Sequence, residues 1–302
     1  MKYNHIAKNP PYVLDNQSIY AGGGVHRYLD ETVEAGFINN PDILIAVSSS
    51  TGSGPVNGTY QWVAVAEKTT PQGDIFRSSV SSIYTASIGT VTSSITFAWP
   101  SIAAGKRKTD SKIYLYRTEA DGSVFYKTGI YENNPPQSSG SLPSRFEVSG
   151  TFVDTSIDAN IIDNEVLYTV GGVLTNETPP APEFLALRRD RMILVPWEDP
   201  QVVWVSKPKV VNEGYNWNKI LSTRSTGGNI TGLSVMDDTI VLFTEIGIQL
   251  LNGEFPNVLG QGSFQSLGTV NTDIGVTEEN SKSIVTIPEG ILFKSKKGFS
   301  LF

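Results

Sequence analysis

The chain has 302 residues, enough for two domains or one large β architecture with a sizeable core. Its net charge of −7 leaves no basic footprint, which argues against nucleic acid as the main partner. The absence of cysteine excludes disulfides, thiolate metal sites and a cysteine nucleophile, while 28 Gly and 17 Pro suit many short strands joined by turns.

The N-terminal residues lack the apolar core of a signal peptide. Nowhere do about 18 apolar residues run together, so no membrane span is expected. Residues 1–54 form the first segment. After Pro10 and Pro11, QSIYAGGGVHRYL (17–29) reads as strand, glycine turn, strand, with Gly22, Gly23 and Gly24 free to adopt positive φ. Residues 31–37 are the only stretch that reads as helical, stopped by Gly36.

Residues 55–158 form the second segment, in which apolar and polar residues alternate in long runs. YQWVAV (60–65), SITFAW (94–99), KIYLYR (112–117) and VFYKTG (124–129) are the clearest, and 146–154 adds another. In KIYLYR, Ile113, Leu115 and the aliphatic stem of Arg117 share one face, with Tyr114 and Tyr116 on the other. About seven strands in about 100 residues predict an immunoglobulin- or fibronectin-like sandwich. Lys106, Arg107 and Lys108 read as a solvated turn.

Residues 159–302 form the third segment. EVLYTVGGVL (165–174) echoes 17–29, and TNETPPAPE (175–183) is a stiff connector. Three strand–turn–strand units follow, at 191–205, 233–253 and 283–302. Val195 lies 48 residues before Phe243, Phe243 lies 50 before Phe293, and Gly247 lies 51 before Gly298. A hairpin unit returning at that interval predicts the blades of a β-propeller. The fold class expected is therefore all-β: incomplete propeller-like blades interrupted by an inserted immunoglobulin/fibronectin-like sandwich. With about three and a half blades and an apolar strand at 299–302, further blades are expected beyond this chain.

Candidate chemistry is sparse. His5 and His26 are the only histidines, and neither sits in a metal-binding or nucleophilic motif. Asp154, Asp158 and Asp163 could offer carboxylates to Ca2+, but their irregular spacing without glycine suits turn formation better. Asp237 and Asp238 read as a hairpin turn, and Glu278 and Glu279 as surface residues. Trp197, Trp204, Tyr215 and Trp217, with Lys207 and Lys209 among them, form either a stacking surface for sugar or protein, or packing between sheets; packing is the expected reading. No catalytic, cofactor-binding or metal residue is assigned, and no cofactor is expected.

The order of these segments carries a resemblance. IYAGGG (19–24), EAGF (34–37) before Pro41, KIYLYRTEADGSVFYKTG (112–129), LYTVGGVLTNETPPAP (167–182), VVWVSKP (202–208), GLSVMDDTIVLFTEIGIQLLNG (232–253), GQGSF (260–264) and IPEGILFKSKKGFSLF (287–302) follow one another as in the tail nozzle or tail-tube proteins of short-tailed bacteriophages, which the chain resembles along nearly its whole length. The resemblance implies a non-enzymatic virion tail protein assembled in the host cytoplasm. It implies a ring, of six copies, around a channel for which DNA is passing cargo, with portal or adaptor and tail-fibre proteins as partners. It also implies that the chain is the N-terminal portion of a longer protein. The reading that competes with it is a carbohydrate-binding or carbohydrate-cleaving propeller with an accessory fibronectin-like module.

Overall fold

The structure is a computed structural model. It describes residues 12–302 apart from 15–16, 22–24, 30–31, 36, 39, 42–43, 49–53, 70–72, 74, 90–93, 100–111, 133–149, 168–172, 210–213, 226–227, 263–267 and 272. The fold is all-β and divides into two compact units, one made of residues 1–37 and 178–302, the other of residues 38–177.

The first unit opens with β1 (Tyr12–Leu14), β2 (Gln17–Ala21), β3 (Val25–Leu29) and β4 (Thr32–Ala35), an antiparallel sheet in sequence order. Strand β4 replaces the helix expected over 31–37. It pairs with β3 along Arg27–Glu34 and Tyr28–Val33, and β-branched Thr32 and Val33 favour that extended backbone over a helix.

The second unit contains β5 (Leu44–Ser48), β6 (Gly58–Thr69), β7 (Ile75–Arg77), β8 (Tyr84–Ile88), β9 (Ser94–Trp99), β10 (Lys112–Arg117), β11 (Tyr126–Glu132), β12 (Gly150–Asp154) and the one-turn helix α1 (Asp158–Ile161). One sheet runs β11-β10-β6-β7, with β8 also on β6; the other runs β12-β9-β5. The alternation read in KIYLYR holds: Ile113 and Leu115 join Trp62, Ala64 and Ala66 in one core, and Tyr116 joins Val63 and Val65 in another. The two sheets approach through Phe152, whose ring lies where a Cβ on Gly129 would stand, so β11 needs glycine there. Of the segment 165–174, which echoes 17–29 in sequence, residues 168–172 lie outside the described residues, while 165–167 run beside β11: the Lys127 amide donates to the Glu165 carbonyl and the Leu167 amide to that of Phe125.

The first unit resumes with β13 (Pro182–Arg188), β14 (Arg191–Pro196), β15 (Val202–Val205) and β16 (Ser222–Arg224); then β17 (Ile230–Met236), β18 (Thr239–Thr244), β19 (Ile248–Leu251) and β20 (Gly268–Asn271); then β21 (Val285–Ile287), β22 (Gly290–Ser295) and β23 (Gly298–Leu301). Each group is one antiparallel sheet in sequence order. The three strand–turn–strand units read from sequence all form.

Successive sheets share cores. Val25 of the first sheet packs with Leu185, Met192 and Leu194 of the second. The other face of the second, with Phe184, Ile193 and Val195, packs on Leu233, Ile240 and Leu242 of the third. The third then offers Val241, Phe243 and Ile248 to Ile291 and Phe293 of the fourth. The unbroken apolar runs of β14 and β18 follow from this, because alternate side chains enter two different cores.

Hairpin register fixes which positions are equivalent. Arg188 faces Arg191 across one two-residue turn, Met236 faces Thr239 across the next, and Ile287 faces Gly290 across the third. Arg191, Thr239 and Gly290 are thus equivalent, separated by 48 and 51 residues. Val195 is equivalent to Phe243, and Gly247 to Gly298, as the sequence spacing suggested. The spacing of 50 is a slip by one. Lys294, not Phe293, is the counterpart of Phe243, and the two Phe rings instead meet across the sheet interface, with centroids 5.0 Å apart. The side chains at the second turn confirm the offset of 51, since Thr244 and Ser295 each donate a hydroxyl to the carbonyl of the glycine three residues on.

Candidate functional site

The densest cluster of charge lies in the second unit, around Arg117 at the end of β10. Its side chain is fully buried on the face it shares with Ile113 and Leu115. The aliphatic stem was expected on that face; the whole guanidinium follows it inward. Two carboxylates meet it, both from the acidic segment considered as a Ca2+ site. Arg117 Nε lies 2.9 Å from Asp154 Oδ2, and Nη1 donates to Asp158 Oδ1 at 2.7 Å. Nη2 donates to the Ser156 carbonyl at 2.9 Å, and the guanidinium sits 4.9 Å from the centroid of the Tyr60 ring.

The carboxylates are further saturated. Asp154 accepts from Trp62 Nε1 at 3.1 Å and from the Ser156 amide at 3.0 Å; Asp158 accepts from the Ala120 amide at 3.0 Å and from the Tyr60 hydroxyl at 3.4 Å. Burial raises the Tyr60 phenol pKa, and the negative charge of Asp158 adds to the effect. Asp163 is exposed and takes no part. The pair Asp154 and Asp158 therefore answers one arginine. It does more than form a turn: it ties β12 and α1 to β10 and β6. Among the described residues, no three or more His, Cys, Asp or Glu come together in a way that could hold a metal ion.

A second polar cluster covers the opposite face of the same sheet. Arg77 Nε donates to Glu67 at 2.6 Å and its Nη2 to Glu165 at 2.8 Å, while Lys127 Nζ lies 3.4 Å from Glu165 and 3.8 Å from the centroid of the Tyr114 ring. Burial, and then the charge of Glu165, pushes the Tyr116 phenol up to about 12. Burial and Glu67 raise Tyr114 as well.

In the first unit the aromatic cluster divides. Tyr215 and Trp217 are fully buried beside Leu185 and Met192, and Trp204 packs half-buried against them, as the packing reading expected. Trp197 departs from it, being 58% exposed after β14. Lys207 is buried, and Lys209 Nζ stands 5.8 Å from the Tyr215 ring. The four aromatics do not form one surface.

Asp237 and Asp238 form the expected two-residue turn, with φ of 46° and 62°, the positive values a tight hairpin requires. Asp238 also accepts from Arg189 Nη2 at 2.7 Å, and that bond holds its carboxyl below the usual range. Glu278 and Glu279 are exposed in a 3-10 turn. His26 falls within β3, paired with Tyr20 and Ala35. His5, Gly22, Gly23, Gly24, Lys106, Arg107 and Lys108 lie outside the described residues.

Sequence reasoning missed the arginines. Arg188 and Arg191 flank the β13–β14 turn, are buried, and stack on Phe255 at 4.5 and 5.7 Å. They donate to backbone carbonyls of Gly253, Ser206 and Pro256, fastening the segment after β19; burial lowers the pKa of both. The signal for Arg117 was present: an arginine on the apolar face of an alternating strand requires a buried counter-charge.

These side chains are spent on one another and on the backbone, an arrangement that holds strands in register. No protein-family model matches the chain, and no curated protein matches its sequence.

Proposed function

We propose that the chain is a non-enzymatic structural subunit of the tail of a short-tailed bacteriophage, of the nozzle or tube kind. The observation that carries the reading is the run of sequential antiparallel sheets stacked face to face through shared apolar cores, β1–β4 to β21–β23. These sheets contain the motifs VVWVSKP, GLSVMDDTIVLFTEIGIQLLNG and IPEGILFKSKKGFSLF, on which the resemblance rests in part, and repetition of one sheet unit suits a load-bearing wall. On this reading copies assemble as a ring, six in number, beneath the portal and adaptor, and carry fibres. The β-rich second unit, braced by Arg117, serves as a docking module. A net charge of −7 suits a wall along which DNA slides without being held.

The test is imaging of the purified protein together with its solution mass. Rings with a central channel are expected. A protein that never forms rings, alone or with its adaptor, and that binds or cuts a polysaccharide would overturn the reading. The exposed ring of Trp197 favours a carbohydrate role, so a glycan screen repeated with Trp197→Ala separates the two.

A further inference from the structure

The larger sheet of the second unit has one margin that is covered over part of its length only. Strand β6 has β10 on one side; on the other it carries β7 at its C-terminal end and β8 at its N-terminal end. The stretch at β7 is overlaid by the chain around Asn176, whose amide donates to the Arg77 carbonyl and whose carbonyl accepts from the Ser79 amide. The opposite margin, β11, has 165–167 beside it. Among the described residues, β8 pairs with β6 alone.

Which backbone groups β8 leaves open follows from its partner. Thr59 and Gln61 turn away from β8: their carbonyls accept from the Asp121 and Thr118 amides, and their amides donate to the side chains of the same two residues. Ser87 and Thr85, which stand opposite them, therefore occupy the non-hydrogen-bonded positions and point their own amides and carbonyls outward. Both residues are exposed. An edge of this kind is ordinarily blunted by a charge, a proline or a bulge. Residues 78–89, SSVSSIYTASIG, hold neither charge nor proline, and β8 keeps an unbroken register with β6.

The order of side chains along this edge fits a second copy laid antiparallel about Ala86. That alignment sets Tyr84 against Ile88 and Thr85 against Ser87, an aromatic on a β-branched residue and a hydroxyl on a hydroxyl, both favourable cross-strand pairs. It also sets exposed Ile83 against Gly89, where a Cβ would meet nothing within 4 Å, so there is room for the larger side chain. The outward groups of Thr85 and Ser87 then meet in two reciprocal pairs, giving four hydrogen bonds, one for each outward amide. Tyr84, Ala86 and Ile88 belong to the core that holds Tyr60 and Trp62, so the apolar face continues from one copy into the other. Self-complementarity along a single strand is what an isologous contact requires.

We propose that β8 is a contact between two copies of this chain, which pair edge to edge and antiparallel about Ala86, so that one sheet runs through both. The contact rests on residues 38–177 and is separate from the ring: it joins copies in pairs, or two rings to one another, whether or not the tail reading holds.

The experiment is sedimentation velocity of the whole chain over a concentration series, with circular dichroism to verify folding. The wild-type mass is expected to double as concentration rises; if rings form, the doubling is theirs. Thr85→Pro deletes an amide that the fold itself does not use, at a position where an edge strand tolerates proline. It removes two of the four hydrogen bonds and should weaken pairing about tenfold or more, leaving any ring intact. Two double variants read the register without touching the backbone. Thr85→Lys with Ser87→Lys places like charges opposite one another and should abolish doubling, whereas Thr85→Lys with Ser87→Asp places opposite charges there and should keep it. A mass that never doubles, doubling that survives Thr85→Pro, or two double variants that behave alike would each overturn the contact.

Discussion

Strands β18 and β10 both bury their side chains on two faces, by opposite means. In β18 the chain alternates Ile240, Val241, Leu242 and Phe243 into two apolar cores, each shared with a neighbouring sheet. In β10 the buried face ends in Arg117, held by Asp154, Asp158 and a backbone carbonyl. Apolar stacking is non-directional and nearly additive, so it can be repeated sheet after sheet with changes of side chain. A buried ion cluster is directional: it pays desolvation for every charge and returns it only when all partners are present. The first device builds length, and the second fixes one arrangement.

The sharpest way to break the comparison is Arg117→Ala, which strands Asp154 without its counter-charge. It should destabilise the second unit by about 3–5 kcal/mol, the range for breaking a buried pair. Urea unfolding followed by hydrogen exchange should show the loss over residues 38–177, with residues 178–302 unchanged. Arg117→Met combined with Asp154→Leu should lose less than Arg117→Ala alone; an equal or greater loss would mean that the cluster stabilises by more than mutual neutralisation.

Next in size is a matched pair from the first unit. Phe243→Ala should cost about 3–4 kcal/mol by leaving a cavity against Phe293. Lys294→Ala at the equivalent position should stay within about 0.5 kcal/mol, as surface changes do. Similar costs at the two positions would contradict the offset of 51. Ile240→Val, a smaller version of the Phe243 test, should cost about 0.5–1.5 kcal/mol.

The last effect is one of pH. The Tyr116 phenol titrates at about 12 in the folded chain and near 10 when unfolded. Its contribution is whole below pH 10. It declines between pH 10 and 12, where the unfolded chain has released the proton and the folded chain still holds it. Stability of residues 38–177 should therefore fall across that window, and Tyr116→Phe should make the fall shallower. An unchanged slope in the variant would move the effect to other groups, Tyr60 and Tyr114 among them.

Much of this was legible in the sequence, for reasons specific to particular strands. Residues 112–117 and 94–99 alternate cleanly, and β10 and β9 occupy those spans. The hairpins at 191–205, 233–253 and 283–302 are bounded by turn residues and form as read. Residues 32–35 did not declare themselves, because their state is set by pairing with β3, a contact outside the segment itself. The true partner of Asp154 and Asp158 lies 37 and 41 positions away at Arg117, a distance no local pattern spans. The one-residue slip in the repeat has its own cause: when both faces of a strand are apolar, an alternating pattern cannot say which face is which.

That ambiguity bears on how the chain folds as well as on how it is read. A strand such as TIVLFT could shift by one residue and still bury every side chain, since each would pass from one core to the other. Side-chain hydrophobicity therefore offers little protection against misalignment. The protection comes from the turns. Asp237 and Asp238 hold positive φ, and Thr244 closes on Gly247, which favours reversal of the backbone at these places. Copying errors in these stacked sheets are guarded against at their rims, by a few polar residues and glycines, while the interiors are left free to vary.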